Sequence, residues 1–297
     1  MMRRNCGIAL VQVLIISVIL IMLSVFIGQT LKAQINVARD VQKVHQLRLK
    51  LETAEALVFN ALLSNFNYQN KKSDNDLARI WNFYFEPFEV EGITVQIQDV
   101  SGLYSLNTFD SNHLTKLFQQ LGVAENRINI FIDSLLDWTD KDDSLKPYGA
   151  EKEYYQGLSK VGPRNGYLQS VNELQHVRES DILTVEQWNK YFTVEPTPFF
   201  NPMNSPEAII KAIAYDESGA NRIIKQRREG NLSRRQFEEM SGIEQEGFVS
   251  FANGFKFKVA LTASENGIML QKSFIIELKR RDINNPVTIT DLVWNKL

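Results

Sequence analysis

From Ile8 to Ile27 only Gln12, Ser17 and Ser24 interrupt an otherwise apolar run. About twenty helical residues, each rising about 1.5 Å, cover roughly the 30 Å hydrocarbon core of a bilayer. Beyond this run Leu31, Ile35, Ala38, Val41, Val44, Leu47, Leu51, Ala54, Val58 and Ala61 recur in steps of three and four, with no glycine or proline between Gln29 and Glu86. That spacing places one apolar stripe along a helix. The pattern predicts a single long helix over 8–64, with its half 8–28 spanning a membrane and the rest amphipathic. The alternative is an anchor followed by a separate coiled coil.

Asn65 to Asp76 is polar and reads as a loop. Gly92 to Val100 alternates apolar and polar residues, as a half-exposed strand does. Helical texture follows in His113–Leu121, Glu125–Trp138, Val171–Arg178, Thr184–Phe192, Pro206–Ile213, Gly219–Arg228 and Ser233–Met240. Alternation returns in Phe255–Ala263 and Met269–Arg280, on either side of a hairpin turn at Ser264-Glu-Asn-Gly267. Strand, helical block and strands predict an α+β chain with a large all-α domain inserted into a small antiparallel sheet domain. The expected boundaries are 65–108 for the first part of the sheet domain, 109–247 for the insertion and 248–297 for the returning strands. The insertion also hints at a repeat: Ser105-Leu-Asn107 and Phe200-Asn-Pro each precede paired helices, with Ser111 and Asn204/Ser205 as expected caps.

Charge and cysteine content narrow the function. A formal net charge of -2 over 297 residues gives no basic field for nucleic acid. The single cysteine, Cys6, precedes the apolar run, so a chain cut behind it has no thiol chemistry. Leu31-Lys32-Ala33 is a poor signal-peptidase site, whereas Gly7 lies between the basic Arg3-Arg4-Asn5 and the apolar run. Cutting there would remove the charged leader, residues 1–7, and keep the helix.

The stretch from Asp137 to Tyr155 holds six carboxylates. With Asp140 as the first place of a calcium loop, Asp142, Ser144 and Glu151 fall at the third, fifth and twelfth. Leu145 stands where glycine is needed and Pro147 stiffens the loop, so it is not an EF-hand. Oxygen ligands without nearby histidine or cysteine favour a hard cation. The candidate ligands are Asp140, Asp142, Glu151 and Glu153, with Ca²⁺ as the cation. No catalytic motif occurs in the sequence. His45, His113 and His176 are scattered, and Glu151 with Glu153 reads as loop acidity rather than as a glycosidase pair.

Several stretches together resemble one family: Asp99-Val-Ser-Gly-Leu-Tyr-Ser-Leu-Asn-Thr, Leu136-Asp-Trp-Thr-Asp-Lys-Asp, Gly149-Ala-Glu-Lys-Glu-Tyr-Tyr and Arg164-Asn-Gly-Tyr-Leu-Gln-Ser-Val-Asn-Glu-Leu. With the leader and the C-terminal strands, these resemble the K-type minor pseudopilin of type II secretion. The resemblance implies a pilin-like fold and cleavage by a prepilin peptidase between Gly7 and Ile8, with methylation of the new terminus. It also implies a single pass through the inner membrane, a C-terminal domain in the periplasm, and calcium in the helical domain. The implied role is at the pseudopilus tip, with I- and J-type minor pseudopilins and other pseudopilins as partners, in export of folded proteins across the outer membrane. Gln12 occupies the fifth place after the cut, where most pilins carry glutamate and K-type members typically lack it. The alternatives are a minor pilin of a type IV pilus and a membrane-anchored periplasmic enzyme.

Overall fold

The computed structural model describes residues 6–64, 68–69, 71, 73–279, 282 and 284–296. The leader residues Arg3, Arg4 and Asn5 lie outside the described residues. One uninterrupted helix, α1, runs from Cys6 to Ser64, roughly 90 Å at the standard rise. Gly7 and Ile8 lie in its first turn. From Leu10 to Val41 its apolar side chains stand in the open, whereas Leu47, Leu51, Ala54, Val58, Ala61 and Leu62 are buried against a sheet.

That sheet is antiparallel, with strands β1 (Phe88–Val90), β2 (Ile93–Asp99), β5 (Lys256–Glu265), β6 (Ile268–Leu278) and β7 (Val287–Lys296) in spatial order 1-2-5-6-7. Two hairpins close on two-residue turns with both φ positive, Glu91-Gly92 and Asn266-Gly267, the conformation that matches the strands' right-handed twist. Ile93, Val95, Ile97, Phe257, Val259, Leu261, Phe274 and Ile276 face α1 and form the core with it. Lys272 lies on the same inner face, paired with Glu55 of α1 and 5.0 Å from the Trp294 ring centroid. Losing either partner would strand a buried charge, so this pair fixes how far along α1 the sheet sits.

β7 is a third C-terminal strand beside the two that the alternation predicts. Its pattern is broken by a bulge, where Asp291 adopts φ 51° and the register slips between Ser273 and Ile275.

The helical region lies between β2 and β5, two strands that pair directly. Its helices are α3 (Ser111–Gln120), α4 (Glu125–Thr139), α5 (Lys152–Gly157), α6 (Val185–Tyr191), α7 (Glu207–Ile213), α8 (Glu217–Arg228) and α9 (Arg234–Ser241); a short α2 (Asp76–Ile80) precedes the sheet. The expected helix at Val171–Arg178 is instead a 3-10 turn, Val171–His176. Val171, Leu174 and Val177 face the core at intervals of three, and a three-residue turn places such residues on one line. The caps also differ from expectation. Asp110 rather than Ser111 caps α3, and Asn201 caps a 3-10 turn at Pro202–Asn204 ahead of α7.

Two apolar cores fill this region. The larger gathers Phe118, Phe131, Trp188 and Phe192, and the smaller gathers Ile210, Ile223, Phe237 and Phe251. The hinted repeat has a structural counterpart in how each unit is closed. Strand β3 (Tyr104–Ser105) pairs in parallel with β4 (Phe192–Thr193), and Phe200 pairs in parallel with Val249.

The two ends of the region meet at Asp99, which is fully buried. Its carboxylate accepts from the Ser101 amide (2.9 Å) and hydroxyl (2.7 Å), the Asn204 amide group (2.8 Å) and the Gly254 amide (3.0 Å). Burial pushes its pKa up and these donors pull it down, with a net rise. Gly254 is required, because a Cβ there would lie 2.7 Å from the carboxylate.

Candidate functional site

The acidic loop leaves the C-terminal end of α4 and returns at α5. Asp137 belongs to the last turn of α4 and is fully buried beside Trp138. Its oxygens accept from the Lys146 amide at 3.2 and 3.3 Å. Gly149 passes so close that a Cβ would lie 1.9 Å from Asp137 Oδ2. The glycine of the Gly149-Ala150-Glu151 stretch therefore exists to admit the carboxylate of Asp137.

The motif stretches converge around this contact. Trp138 Nε1 donates to Glu173 at 3.0 Å, Arg164 pairs with the same carboxylate at 2.6 Å, and the Asn165 amide donates to the Trp138 carbonyl at 3.1 Å. Glu173 is pushed up by burial but ends lowered, held there by Arg164 and the donors of Gln169 and Trp138. Tyr155, packed edge-on against Trp138, has its phenol pushed up to about 12 by burial.

Glu151 is the anomaly of the loop. It is 7% exposed, and both of its carboxylate oxygens are buried without a hydrogen-bond partner. Burial first, then the charge of Asp137 and less strongly those of Asp140 and Asp143, push its pKa up; the Lys152 amide eases this but satisfies neither oxygen. Asp140 shares the problem. Its Oδ2 meets Lys146 Nζ at 3.1 Å, whereas Oδ1 is buried and unpartnered. Asp137 is likewise raised, chiefly by burial, with Lys146 opposing. An unmet buried carboxylate oxygen is costly, and here three such oxygens share one neighbourhood.

Of the four expected ligands, the structure brings Asp140 and Glu151 together with Asp137, which the calcium-loop spacing missed. Asp142 and Glu153 stand apart and exposed. Asp142 accepts from the Ser144 amide at 2.9 Å, and the Ser144 hydroxyl and amide lower its pKa. Glu153 lies in the first turn of α5 with its side chain in solvent. Loop spacing misleads here because Asp137 is still helical and the chain folds back at Gly149. The small Gly149-Ala150 pair beside a glutamate was the available signal. Among the described residues no three acid, histidine or cysteine side chains already converge as a finished metal site.

The histidines do no joint work. His113 is 3.8 Å from Asp110, and His176 lies parallel to Trp138 at 6.5 Å. A groove of about 1240 Å³ lies between the outer sheet face and the helical region, lined by Tyr84, Gln98, Asn189, Glu195, Lys258 and Val293 among others. Across it Lys256 pairs with Glu195 at 2.6 Å and Lys258 donates to the Asn189 carbonyl at 3.2 Å. Burial pulls Lys258 down to about 8.

Comparison with known proteins bears on the same stretches. Residues 96–197 match the family model for type II secretion system protein K. Over that segment, about a third of its length, the chain is similar to the type II secretion system protein K family. It is 27% identical over 198 residues to type II secretion system protein K of Aeromonas hydrophila, covering 59% of each chain. It is 24% identical over 218 residues to the putative type II secretion system protein K of Escherichia coli K12, covering 66% of this chain and 64% of that one. The match thus spans less than two thirds of either protein K relative. Among solved structures, a chain of the GspK-GspI-GspJ complex from the enterotoxigenic Escherichia coli type 2 secretion system shares the fold. Its TM-score is 0.53 at 18% identity, over 88% of this chain and 99% of that one. The matched segment 96–197 contains both the acidic loop and the start of the Asp99 junction.

Proposed function

We propose that the chain is a minor pseudopilin at the tip of the type II secretion pseudopilus. It assembles with I- and J-type minor pseudopilins to initiate the pseudopilus and support export of folded proteins across the outer membrane. The observation that carries this reading is α1, which leaves an apolar span with no cover in the chain and continues without a break into the core of the sheet domain. An exposed apolar rod fused to a folded body suits a subunit whose rod packs among others in and above a membrane. The body then stands in the periplasm, and the neutral Gln12 suits a subunit with no protomer above it. The test is mass spectrometry of the natively expressed chain together with co-purification. A mature terminus at methylated Ile8 and a stable complex with the small pseudopilins are expected. A chain still starting at Met1, or processed beyond Ala33, would overturn the proposal.

The acidic loop fits a hard cation. The unmet buried oxygens of Asp140 and Glu151, with Asp137 beside them, are the oxygen donor set that calcium takes. Calcium there would supply the positive charge that these carboxylates lack. Its role is then to stiffen the α4–α5 connection of the helical region rather than to take part in a reaction. Metal-stripped chain should melt at lower temperature and recover when calcium is returned.

A further inference from the structure

Lys146 is the one residue of the acidic loop whose backbone and side chain both meet the buried carboxylates. Its amide donates to Asp137, and its ammonium lies 3.1 Å from Asp140 Oδ2. The Lys146 side chain lies along the loop surface, partly exposed, with its ammonium turned to Asp140, whereas Leu145 and Tyr148 are exposed. Counting charges, Asp137, Asp140 and Glu151 carry three negatives and Lys146 one positive. The ammonium therefore neutralises Asp140 on one side while leaving Oδ1, and both oxygens of Glu151, unmet.

We infer that Lys146 is a tethered counter-cation: it stands in for a bound divalent cation in the metal-free loop and competes with that cation for the carboxylates. The inference rests on the calcium reading of the loop. A strongly hydrated point charge on a flexible stem suits this role, because it can be expelled without breaking a fixed geometry. Two charges of one sign near the same carboxylates repel by about 1 kcal/mol or more even at high effective dielectric. Lys146 therefore weakens calcium binding, and in return it keeps the empty loop folded.

The test is calcium titration calorimetry and thermal melting on the full chain in detergent, comparing wild type with Lys146→Met and Lys146→Arg. Lys146→Met is expected to bind calcium about tenfold more tightly and to melt lower than wild type when metal-stripped. Lys146→Arg, which keeps the charge, should stay within about threefold of wild-type affinity. Unchanged or weaker binding by Lys146→Met would overturn the inference while leaving the calcium reading intact. No calcium binding by wild type at millimolar concentration would overturn the calcium reading itself. If Lys146→Met does not fold when stripped, its affinity is measured by withdrawing calcium with chelators of graded strength from the loaded protein.

Discussion

Two buried acidic centres divide the helical region between them, and they are satisfied in opposite ways. At the junction, Asp99 is fully buried yet accepts from four donors, two on nearby Ser101 and one each from the distant Asn204 and Gly254. In the loop, Glu151 is nearly as buried and accepts from none. Burial alone does not separate a structural carboxylate from one that awaits a ligand. The difference lies in whether the chain brings its own donors. Asp99 is completed by the fold, whereas the fold gives the carboxylate oxygens of Glu151 no donor.

The contrast is sharpest when each carboxylate is removed. Asp99→Ala leaves the Gly254 amide and one N–H of Asn204 buried and unpaired, the other N–H of Asn204 keeping Asn253. It should cost about 3 kcal/mol or more by denaturant unfolding, equally with and without calcium. A loss that calcium reverses would erase the distinction between the two centres. Glu151→Gln should cost little in the metal-free chain, since it removes a charge that has no partner, and should abolish the gain in melting temperature on adding calcium. A full calcium response in this variant would remove Glu151 from the site.

The smallest expected effect is a slope with pH. Asp137 and Glu151 have folded pKa values raised above the ordinary carboxylate range, so the folded state binds more protons than the unfolded one between those values. Stability of the metal-stripped chain therefore rises as pH falls from neutral toward that range, and the gain is lost as pH climbs through the raised values. Asp99 contributes with the same sign, so Glu151→Gln serves as the reference that isolates Glu151. Scanning calorimetry across mildly acidic pH should show a shallower slope in the variant. Equal slopes would place the effect at Asp99 and Asp137 rather than at Glu151.

Much of the architecture is legible in the chain itself. The step of three and four from Leu31 to Ala61 yields one helix, and Asn266-Gly267 yields the hairpin where expected. What local pattern could not supply is long-range pairing. Asp99 meets Asn204 and Gly254 across 105 and 155 residues, and no periodicity announces such a contact. β7 hides because Asp291 interrupts its alternation at the bulge. In the loop, sequence spacing selects Asp140, Asp142, Glu151 and Glu153; the backward fold at Gly149 sets Asp140 and Glu151 near Asp137 and leaves Asp142 and Glu153 in solvent. Asp137 was hidden by its place inside a helix.

Asp99 and Phe257 are directly paired ladder neighbours, so everything between them departs from and returns to a single rung. A short turn could bridge that rung without moving β2 or β5. The helical region is therefore a long excursion from one rung, moored back to it by the Asp99 carboxylate.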